Sequence, residues 1–431
     1  MAGSAEISRS ILLQLPLNPS APLEDTGNVP LAGATLAAAA SLPPSSLVDQ
    51  DVADTMGDGE LLKHLLEKDP ALVAFTLYMW NAERSAWLAR ALKKEKPDIV
   101  TVGGGPEVSR DNEWLRREGG FDLLVAGEGE AAAADVLDPA RATAVSIETG
   151  GLLQTGATDL APGSYPNPWI EGYLDPSGRS VLLETVRGCA AGCVYCSYRR
   201  SHPHPRIMAA KDVIGLLRTF ADRGTCEVVF LDPTFNARPD LAPLLRGMSG
   251  LGMEFFGEMR GDLIGPETAS MIMDAGFRSV EIGLQSCNRK ALDLAGRPGD
   301  PMMVLEGAMN LRRAGVKPVI DIMLGLPGDT PEDAVRTAMM LKDRGLHHDL
   351  QVFHISVLPG TALRGLCGGG AMDRPPYYMF DPPLMGGFAQ AREEIADIAG
   401  YDLDLAARPI LFEGWPGTVT LDLDAGPAPA V

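Results

Sequence analysis

The sequence predicts an α/β protein with two parallel sheets, one in each of two consecutive domains. Apolar strand-like runs alternate with helical patterns from residue 7 to about 136 and again from 181 to about 360, which is typical of folds built from repeated β-α units. The length of 431 residues exceeds that of one ordinary domain. A stretch rich in Pro, Gly, Ser and Thr separates the two alternating regions. We therefore predict an N-terminal domain over 1–138, a linker over 139–180, a second domain over 181–365 and a C-terminal segment over 366–431.

The first domain is predicted to be a doubly wound parallel sheet of the Rossmann-like or flavodoxin-like kind. Its expected strands are 9–17, 45–49, 70–78, 98–104 and 121–127, and its expected helices lie near 30–40, 58–68, 81–95, 111–119 and 129–136. Open sheets of this kind bind ligands beyond the carboxyl ends of their strands. The motifs that follow the third, fourth and fifth strands are therefore candidates for a ligand site.

The second domain is predicted to be a partial (β/α)6 barrel of TIM type. Its expected strands are 181–186, 226–231, 253–258, 278–284, 317–323 and 350–357, with helices near 210–222, 239–248, 266–275, 301–314 and 331–344. Barrels of this kind place their chemistry on the loops at the carboxyl ends of the strands. After about residue 365 the pattern degrades, and only one further helix is expected, near 387–399.

Composition and charge indicate which classes of binding partner are disfavoured. Acidic residues exceed basic ones by 57 − 37 = 20, and a negative protein repels phosphate backbones. Nucleic acid is therefore disfavoured as a partner. The longest weakly polar run, 31–42, is shorter than the roughly 18 residues of a membrane span, and the start of the chain lacks a basic leader and a small-residue cleavage pattern. We expect a cytoplasmic monomer without a membrane span.

Three of the six cysteines are clustered within eight residues. Cys189, Cys193 and Cys196 lie on one short loop directly after the first strand of the second domain, a pattern that favours metal ligation over a disulfide framework. Three thiolates hold three irons of a cubane and leave the fourth iron open to a small ligand. A structural zinc site, with His202 or His204 as the fourth ligand, is the alternative.

The CxxxCxxC spacing, with the aromatic Tyr195 before the last cysteine, resembles the radical S-adenosylmethionine (radical SAM) superfamily. The resemblance extends over 181–360. It implies a four-iron four-sulfur cluster on the three cysteines, S-adenosylmethionine bound to the open iron and an external electron donor of the flavodoxin or ferredoxin type. No catalytic residue beyond the cluster ligands is assigned.

The same resemblance implies which strand ends contact S-adenosylmethionine. The segments after successive barrel strands contain Phe-Leu-Asp-Pro-Thr, Gly-Glu-Met-Arg, Gly-Leu-Gln-Ser and Gly-Leu-Pro-Gly. An ion pair between Glu258 and Arg260, and turn chemistry for Gly325, are the alternative interpretations. The predicted contacts are Tyr195, Asp232, Thr234, Glu258, Arg260, Gln285, Ser286 and Gly325.

The strand ends of the first domain resemble those of the cobalamin-binding domain that precedes many radical SAM enzymes. A glycine run lets a nucleotide tail lie against bare backbone, although a dinucleotide site or a tight turn would also contain one. No Asp-x-His-x-x-Gly segment is present, so the resemblance implies cobalamin without a protein imidazole, and Tyr78, Met79 or Trp80 is the candidate for its lower face. The predicted cobalamin contacts are Thr76, Leu77, Tyr78, Trp80, Gly103, Gly104, Gly105, Pro106 and Glu128.

Both resemblances together imply a cobalamin-dependent radical SAM methyltransferase. Such an enzyme methylates an unactivated carbon through a deoxyadenosyl radical and methylcobalamin, and its substrate here is a small molecule or a peptide. Rearrangement or cyclisation with the same two cofactors is one alternative, and a non-catalytic cobalamin sensor or carrier is another. Methylthio transfer is disfavoured because no cysteine precedes Cys189 to hold a second cluster.

Overall fold

The structure is a computed structural model that describes residues 9–16, 28–156, 158–198, 204–366, 382–401 and 403, without the side chains of 382–386. The described residues form two parallel sheets and a small two-stranded ribbon. This confirms the predicted α/β class and the order of the two sheets along the chain.

The first sheet contains five parallel strands in the order β1-β2-β3-β4-β5. Apolar helices cover both of its faces, so each face has its own core cluster of buried side chains. The strands are β1 (Ser10–Leu13), β2 (Leu72–Thr76), β3 (Val100–Gly104), β4 (Leu123–Ala126) and β5 (Leu152–Gln154). The helices are α1 (Leu31–Ala39), α2 (Gln50–Thr55), α3 (Asp58–Glu67), α4 (Ala82–Glu95), α5 (Glu113–Glu118), α6 (Ala133–Val136) and α7 (Pro139–Thr149).

The strand predicted over 45–49 was wrong. Pro44–Ser46 is a short 3-10 helix, and only one parallel bridge, between Leu12 and Leu47, joins this segment to β1. Proline has no N–H to donate to a sheet ladder, and two prolines precede Ser45. The bridge nevertheless lies on the edge of β1 opposite to β2. The order in which the strands are added to the sheet therefore reverses at β1. A crevice at such a reversal is the usual ligand position in a doubly wound sheet.

The first sheet also extends beyond the predicted boundary at residue 138. Helix α7 and strand β5 occupy 139–154, where a linker was expected, and β5 pairs with β4. The polar composition that indicated a linker reflects the ends of α7. The Asp138 side chain accepts from the Arg141 N–H at the N-terminus, and Gly150, with φ of 64°, ends the helix.

The second sheet contains six parallel strands that form the partial barrel predicted from the sequence. Its strands in spatial order are β6 (Ser180–Leu183), β9 (Glu227–Phe230), β10 (Glu254–Met259), β11 (Ser279–Gln285), β12 (Lys317–Leu324) and β13 (Leu350–His354). Its covering helices are α8 (Ala210–Asp222), α9 (Leu241–Met248), α10 (Pro266–Ala275), α11 (Arg289–Leu294), α12 (Pro301–Ala314), α13 (Pro331–Asp343), α14 (Ala362–Leu366) and α15 (Pro382–Ala399).

One face of each barrel strand packs against the helices, and the other face lines the lumen. Val280, Ile282 and Leu284 of β11 belong to the large buried core. Because side chains alternate along a strand, Glu281 and Gly283 lie on the lumenal face. The C-terminal helix α15 covers the outer side, with Phe388 and Ile395 in the same core.

The sequence did not predict the two-stranded ribbon that closes the cysteine loop. Strands β7 (Val186–Arg187) and β8 (Arg206–Ile207) pair antiparallel, and the loop between them contains the three cysteines. With two residues each, these strands are too short to show an alternation of apolar and polar side chains in the sequence. Among the described residues, no helix combines the length and the apolar character needed to cross a membrane.

A buried ion pair in the first domain yields a stability prediction. Arg84 of α4 pairs with Asp58 at the start of α3, and the two side chains are 0% and 1% exposed. Replacing Arg84 with Ala leaves a buried carboxylate without its cation, so we expect Arg84→Ala to lower the free energy of unfolding by about 3–5 kcal/mol in urea titrations followed by circular dichroism. Arg141→Ala is the control, because its pair with Asp135 is 61% and 58% exposed and contributes at most about 1 kcal/mol. Equal unfolding curves for the two variants would contradict the assignment.

Candidate functional site

The cysteine loop lies at the carboxyl end of the barrel, between β7 and β8. Cys189, Cys193 and Cys196 form no disulfide and are partly exposed. The Val194 N–H donates to the Ala295 carbonyl at 2.9 Å, and the Leu363 N–H donates to the Val194 carbonyl at 2.9 Å. Three thiols on a loop fixed by backbone bonds are a donor set that fits a cubane with three protein ligands.

Asp232, at the end of β9, fixes the start of this loop. Its carboxylate accepts from the N–H groups of Thr185 (2.6 Å) and Val186 (2.8 Å) and from the Thr185 hydroxyl. Burial raises the pKa of Asp232 to about 6, against the lowering effect of these bonds. Both oxygens are therefore engaged by the loop. Contact of Asp232 with S-adenosylmethionine stays a prediction.

Three carboxylates lie on the lumenal faces of neighbouring strands. Glu258 of β10 is in register with Glu281 of β11, and Glu281 is close to Asp321 of β12. Gln351 of β13 donates to Glu281 at 3.3 Å. Desolvation and the neighbouring carboxylates raise the pKa of Glu258 to about 7 and that of Asp321 to about 9. The lumen therefore offers several carboxylates suited to a cationic ligand.

Arg297 is the functional residue that sequence reasoning missed. It lies beside the cysteine loop, where it donates to the Tyr195 hydroxyl at 3.2 Å and to the Gly283 carbonyl, and it also interacts with Cys193. Burial disfavours its charge, but Tyr195 and Cys193 raise its pKa overall. Nothing in the periodicity marks this arginine. The glycine before it was the available signal, because a Cβ on Gly296 would approach the Gly192 carbonyl oxygen to 2.6 Å.

The end of β11 is a strained turn over the lumen. Gln285 has φ of 72°, which is rare outside glycine, and the ladder between β11 and β12 shifts register there. The Gln285 side chain is 7% exposed, and its Oε1 has no hydrogen-bond partner within the described structure. A buried acceptor of this kind is costly unless a ligand donates to it. Ser286 is fully buried beside it, and Gly325 ends the neighbouring β12.

Arg260 and Thr234 lie at neighbouring strand ends. Arg260 forms an ion pair with Asp262, with Nε and Oδ1 3.0 Å apart, in place of the alternative pair with Glu258. Thr234 is part of the turn after β9, and its carbonyl accepts from the Ala237 N–H at 3.1 Å. Contact of either residue with S-adenosylmethionine stays a prediction.

The carboxyl edge of the first sheet contains the predicted cobalamin segments. Tyr78 and Trp80, after β2, stack in parallel with ring centroids 4.4 Å apart. A Cβ on Gly104 would meet no atom closer than 3.9 Å, so this strand end has an open face. At Gly105, with φ of 121°, a Cβ would approach the Leu77 carbonyl oxygen to 2.6 Å. The glycine run thus forms a bare backbone surface that fits a flat cofactor.

Two of the predicted cobalamin contacts have packing roles, and their contact with cobalamin stays a prediction. The Leu77 side chain is fully buried in a core cluster, and its N–H donates to the Gly104 carbonyl at 2.6 Å. A Cβ on Gly103 would collide with Leu77 and Leu124, so this glycine is required for packing inside the sheet. Contact of Thr76, Tyr78, Trp80, Gly104, Gly105 and Pro106 with cobalamin stays a prediction.

Glu128 was predicted to contact cobalamin, and the structure gives its side chain a different role. Its carboxylate, only 2% exposed, binds the Arg206 guanidinium of β8 and the Thr158 hydroxyl at 2.9 Å. The neighbouring Glu130 binds Arg187 of β7 at 2.7 Å. On another part of the interface, Asp111 accepts from the Gly360 N–H at 2.8 Å. The edge of the first sheet is thus joined directly to the cysteine loop and to the end of the barrel.

Comparisons with known proteins agree with this architecture. Residues 38–137 match the B12 binding domain, and residues 183–341 match the Radical SAM superfamily. The 2-(S-pantetheinyl)-carbapenam-3-carboxylate methyltransferase of Streptantibioticus cattleyicolor is 24% identical over 68% of this chain and 48% of its own length. The cobalamin-dependent radical SAM methyltransferase TokK of Streptomyces tokunonensis is 22% identical over the same shares. The chain therefore spans about half the length of these two relatives.

Two solved structures share the fold. The methyltransferase TsrM from Kitasatospora setae, with tryptophan and a SAM analogue bound, matches 96% of this chain and 93% of its own with a TM-score of 0.67 and 15% identity. The cobalamin-dependent radical enzyme OxsB matches 92% of this chain and 57% of its own, with a TM-score of 0.59 and 14% identity. The two matched domains imply a four-iron four-sulfur cluster, S-adenosylmethionine and cobalamin as cofactors. The chain therefore contains a B12-binding domain followed by a radical SAM domain.

Proposed function

We propose that this protein is a cobalamin-dependent methyltransferase that methylates an unactivated carbon of a small-molecule or peptide substrate. The observation that carries the proposal is the direct contact between the carboxyl edge of the first sheet and the cysteine loop, through Glu128 with Arg206 and Glu130 with Arg187. This contact lets a corrinoid and a cluster face one cavity. The relatives named as methyltransferases support the reaction type.

The lumenal residues would hold S-adenosylmethionine. When bound, the cluster and cobalamin supply the radical chemistry and the methyl group. Arg297 lies where it can bind the carboxylate of the methionine half, beside Tyr195, while Glu258 faces the cationic part of the ligand. The free Gln285 oxygen is available to a hydroxyl or amino group, and Gly325 gives access to a flat base.

The stack of Tyr78 and Trp80 would form the protein surface next to the corrinoid. Both residues follow β2, beside the change of direction in the sheet, and Met79 lies between them in sequence. Their rings would exclude water from the face of the corrinoid that they cover. Gly104 and Gly105 would lie against the nucleotide tail.

The electron donor and the substrate belong to the same proposal. Reduction of a cluster on this loop requires an external donor of the flavodoxin or ferredoxin type, and we propose that the enzyme works as a monomer. The lumenal carboxylates and the partly open cysteine loop leave space for a small metabolite or an extended peptide.

The reaction type is tested by the mass of the product. With anaerobic reductant, cobalamin and S-adenosylmethionine carrying a trideuterated methyl group, we expect the product to gain one methyl group that retains deuterium. A product of unchanged mass would indicate rearrangement or cyclisation instead. Corrinoid binding without release of deoxyadenosine would indicate a sensor or carrier. The substrate panel for this assay comprises small metabolites and modified peptides.

The cluster assignment predicts a selective loss. Replacing Cys189, Cys193 or Cys196 with Ala removes one of three thiolates, so we expect iron content to fall and cleavage of S-adenosylmethionine to disappear. Corrinoid absorbance should persist, because the first sheet has its own core. Cys226→Ala is the matched control, since this exposed thiol lies outside the loop. Full cleavage activity in a Cys193→Ala variant would contradict the assignment.

The lumenal carboxylates predict a pH dependence of ligand binding. The pKa of Glu258 is raised to about 7, so below this pH a cationic ligand must displace a proton, and above it the carboxylate is already charged. We expect the affinity of the cluster-loaded protein for S-adenosylmethionine to rise between about pH 6 and pH 8. Glu258→Gln should flatten this profile in equilibrium binding measurements. A variant profile that matched the unaltered protein would contradict a contact with Glu258.

A further inference from the structure

The ribbon that closes the cysteine loop has an unfavourable charge arrangement of its own. Strands β7 and β8, which we call the neck, pair Arg187 directly with Arg206. Like charges opposite each other destabilise an antiparallel pair. A ribbon of two residues a strand also has little stability in isolation. The neck therefore needs compensation from outside itself.

The compensation comes from the other domain. Glu130 contacts Arg187 at 2.7 Å, and Glu128 binds Arg206 through both of its oxygens. The two glutamate side chains are 9% and 2% exposed. Because these pairs are largely removed from water, they are screened less by salt than surface pairs. The two glutamates belong to the segment Gly127-Glu128-Gly129-Glu130, which directly follows β4.

A third carboxylate completes the network from within the barrel. Glu184 binds Arg187 at 2.6 Å and accepts from the Tyr198 hydroxyl at 3.2 Å. Burial alone would raise the pKa of Glu128, but the bonds from Arg206 and Thr158 outweigh it and lower that pKa. Glu128 is therefore ionised at neutral pH, as the ion pair requires. Two guanidinium groups thus meet three carboxylates, two of which belong to the cobalamin-binding domain.

We propose that Glu128 and Glu130 are positioning residues that hold the neck closed, so that docking of the cobalamin-binding domain is a condition for an ordered cluster loop. Neither residue touches the reacting atoms. The proposal goes beyond the proposed function, because it holds for methyl transfer and for rearrangement alike. It explains why the first domain directs two carboxylates away from its own ligand edge.

Hydrogen exchange in the full-length, metal-free chain tests the proposal without any reaction. In the double variant Glu128→Gln, Glu130→Gln we expect amides within 184–187 and 206–208 to exchange about tenfold faster than in the unaltered chain. Amides of β11 and β12 should be unchanged, which shows that the barrel is folded. Glu113→Gln is the matched control, because its pair with Arg117 is exposed on α5 of the same domain. Equal exchange at the neck in all three proteins would overturn the proposal.

Release of iron to a chelator provides a second readout on the reconstituted protein. We expect Glu128→Gln and Arg206→Gln each to release iron about tenfold faster, with corrinoid stoichiometry retained. In the double variant the two effects should be less than additive, since both substitutions remove the same contact. Fully additive effects would mean that Glu128 does not act through Arg206 and would refute the assignment.

Discussion

The proposed chemistry depends on holding the three thiols of Cys189, Cys193 and Cys196 together on one loop. Its described residues 188–197 contain no helix or strand, so their order is supplied from outside. Asp232 binds its first residues, Ala295 and Leu363 bind its middle through Val194, and the first domain binds its neck. A loop fixed from three sides can present one coordination position in one direction, towards the lumen.

Several features of the lumen lower the stability of the fold when no ligand is bound. Desolvation and the carboxylate of Glu281 on β11 raise the pKa values of Glu258 on β10 and Asp321 on β12. Gln285 combines a left-handed backbone with a buried oxygen that has no hydrogen-bond partner in the described structure. Buried polar groups without partners and strained backbone are tolerated where a ligand completes them. The same end of the barrel contacts the first domain, where the Gly360 N–H donates to Asp111.

The sequence predicted the architecture well and the side-chain contacts less well. Strands such as β11 and β12 are apolar on one face, so local pattern was sufficient to locate them. The strand predicted over 45–49 was wrong because prolines prevent pairing in a sheet. The linker prediction was wrong over 139–154 because the capping residues of a helix resemble a linker in composition. The sequence places Glu128 and Asp232 at the sheet edges where ligands are expected. The orientation of their carboxylates is determined by arginine side chains and backbone amides that are distant in the chain. Arg297 reaches the site through folding, and the glycine before it was the available local signal.

The central claim is that the three cysteines hold an iron cluster with one iron open to S-adenosylmethionine, opposite a bound corrinoid. Mössbauer spectroscopy of anaerobically reconstituted protein, enriched in the iron isotope and loaded with cobalamin, tests it most directly. On addition of S-adenosylmethionine, the account predicts that about one quarter of the iron changes its spectrum while the remainder does not. Zinc in place of iron, or a cluster whose spectrum does not respond to S-adenosylmethionine, would contradict the account.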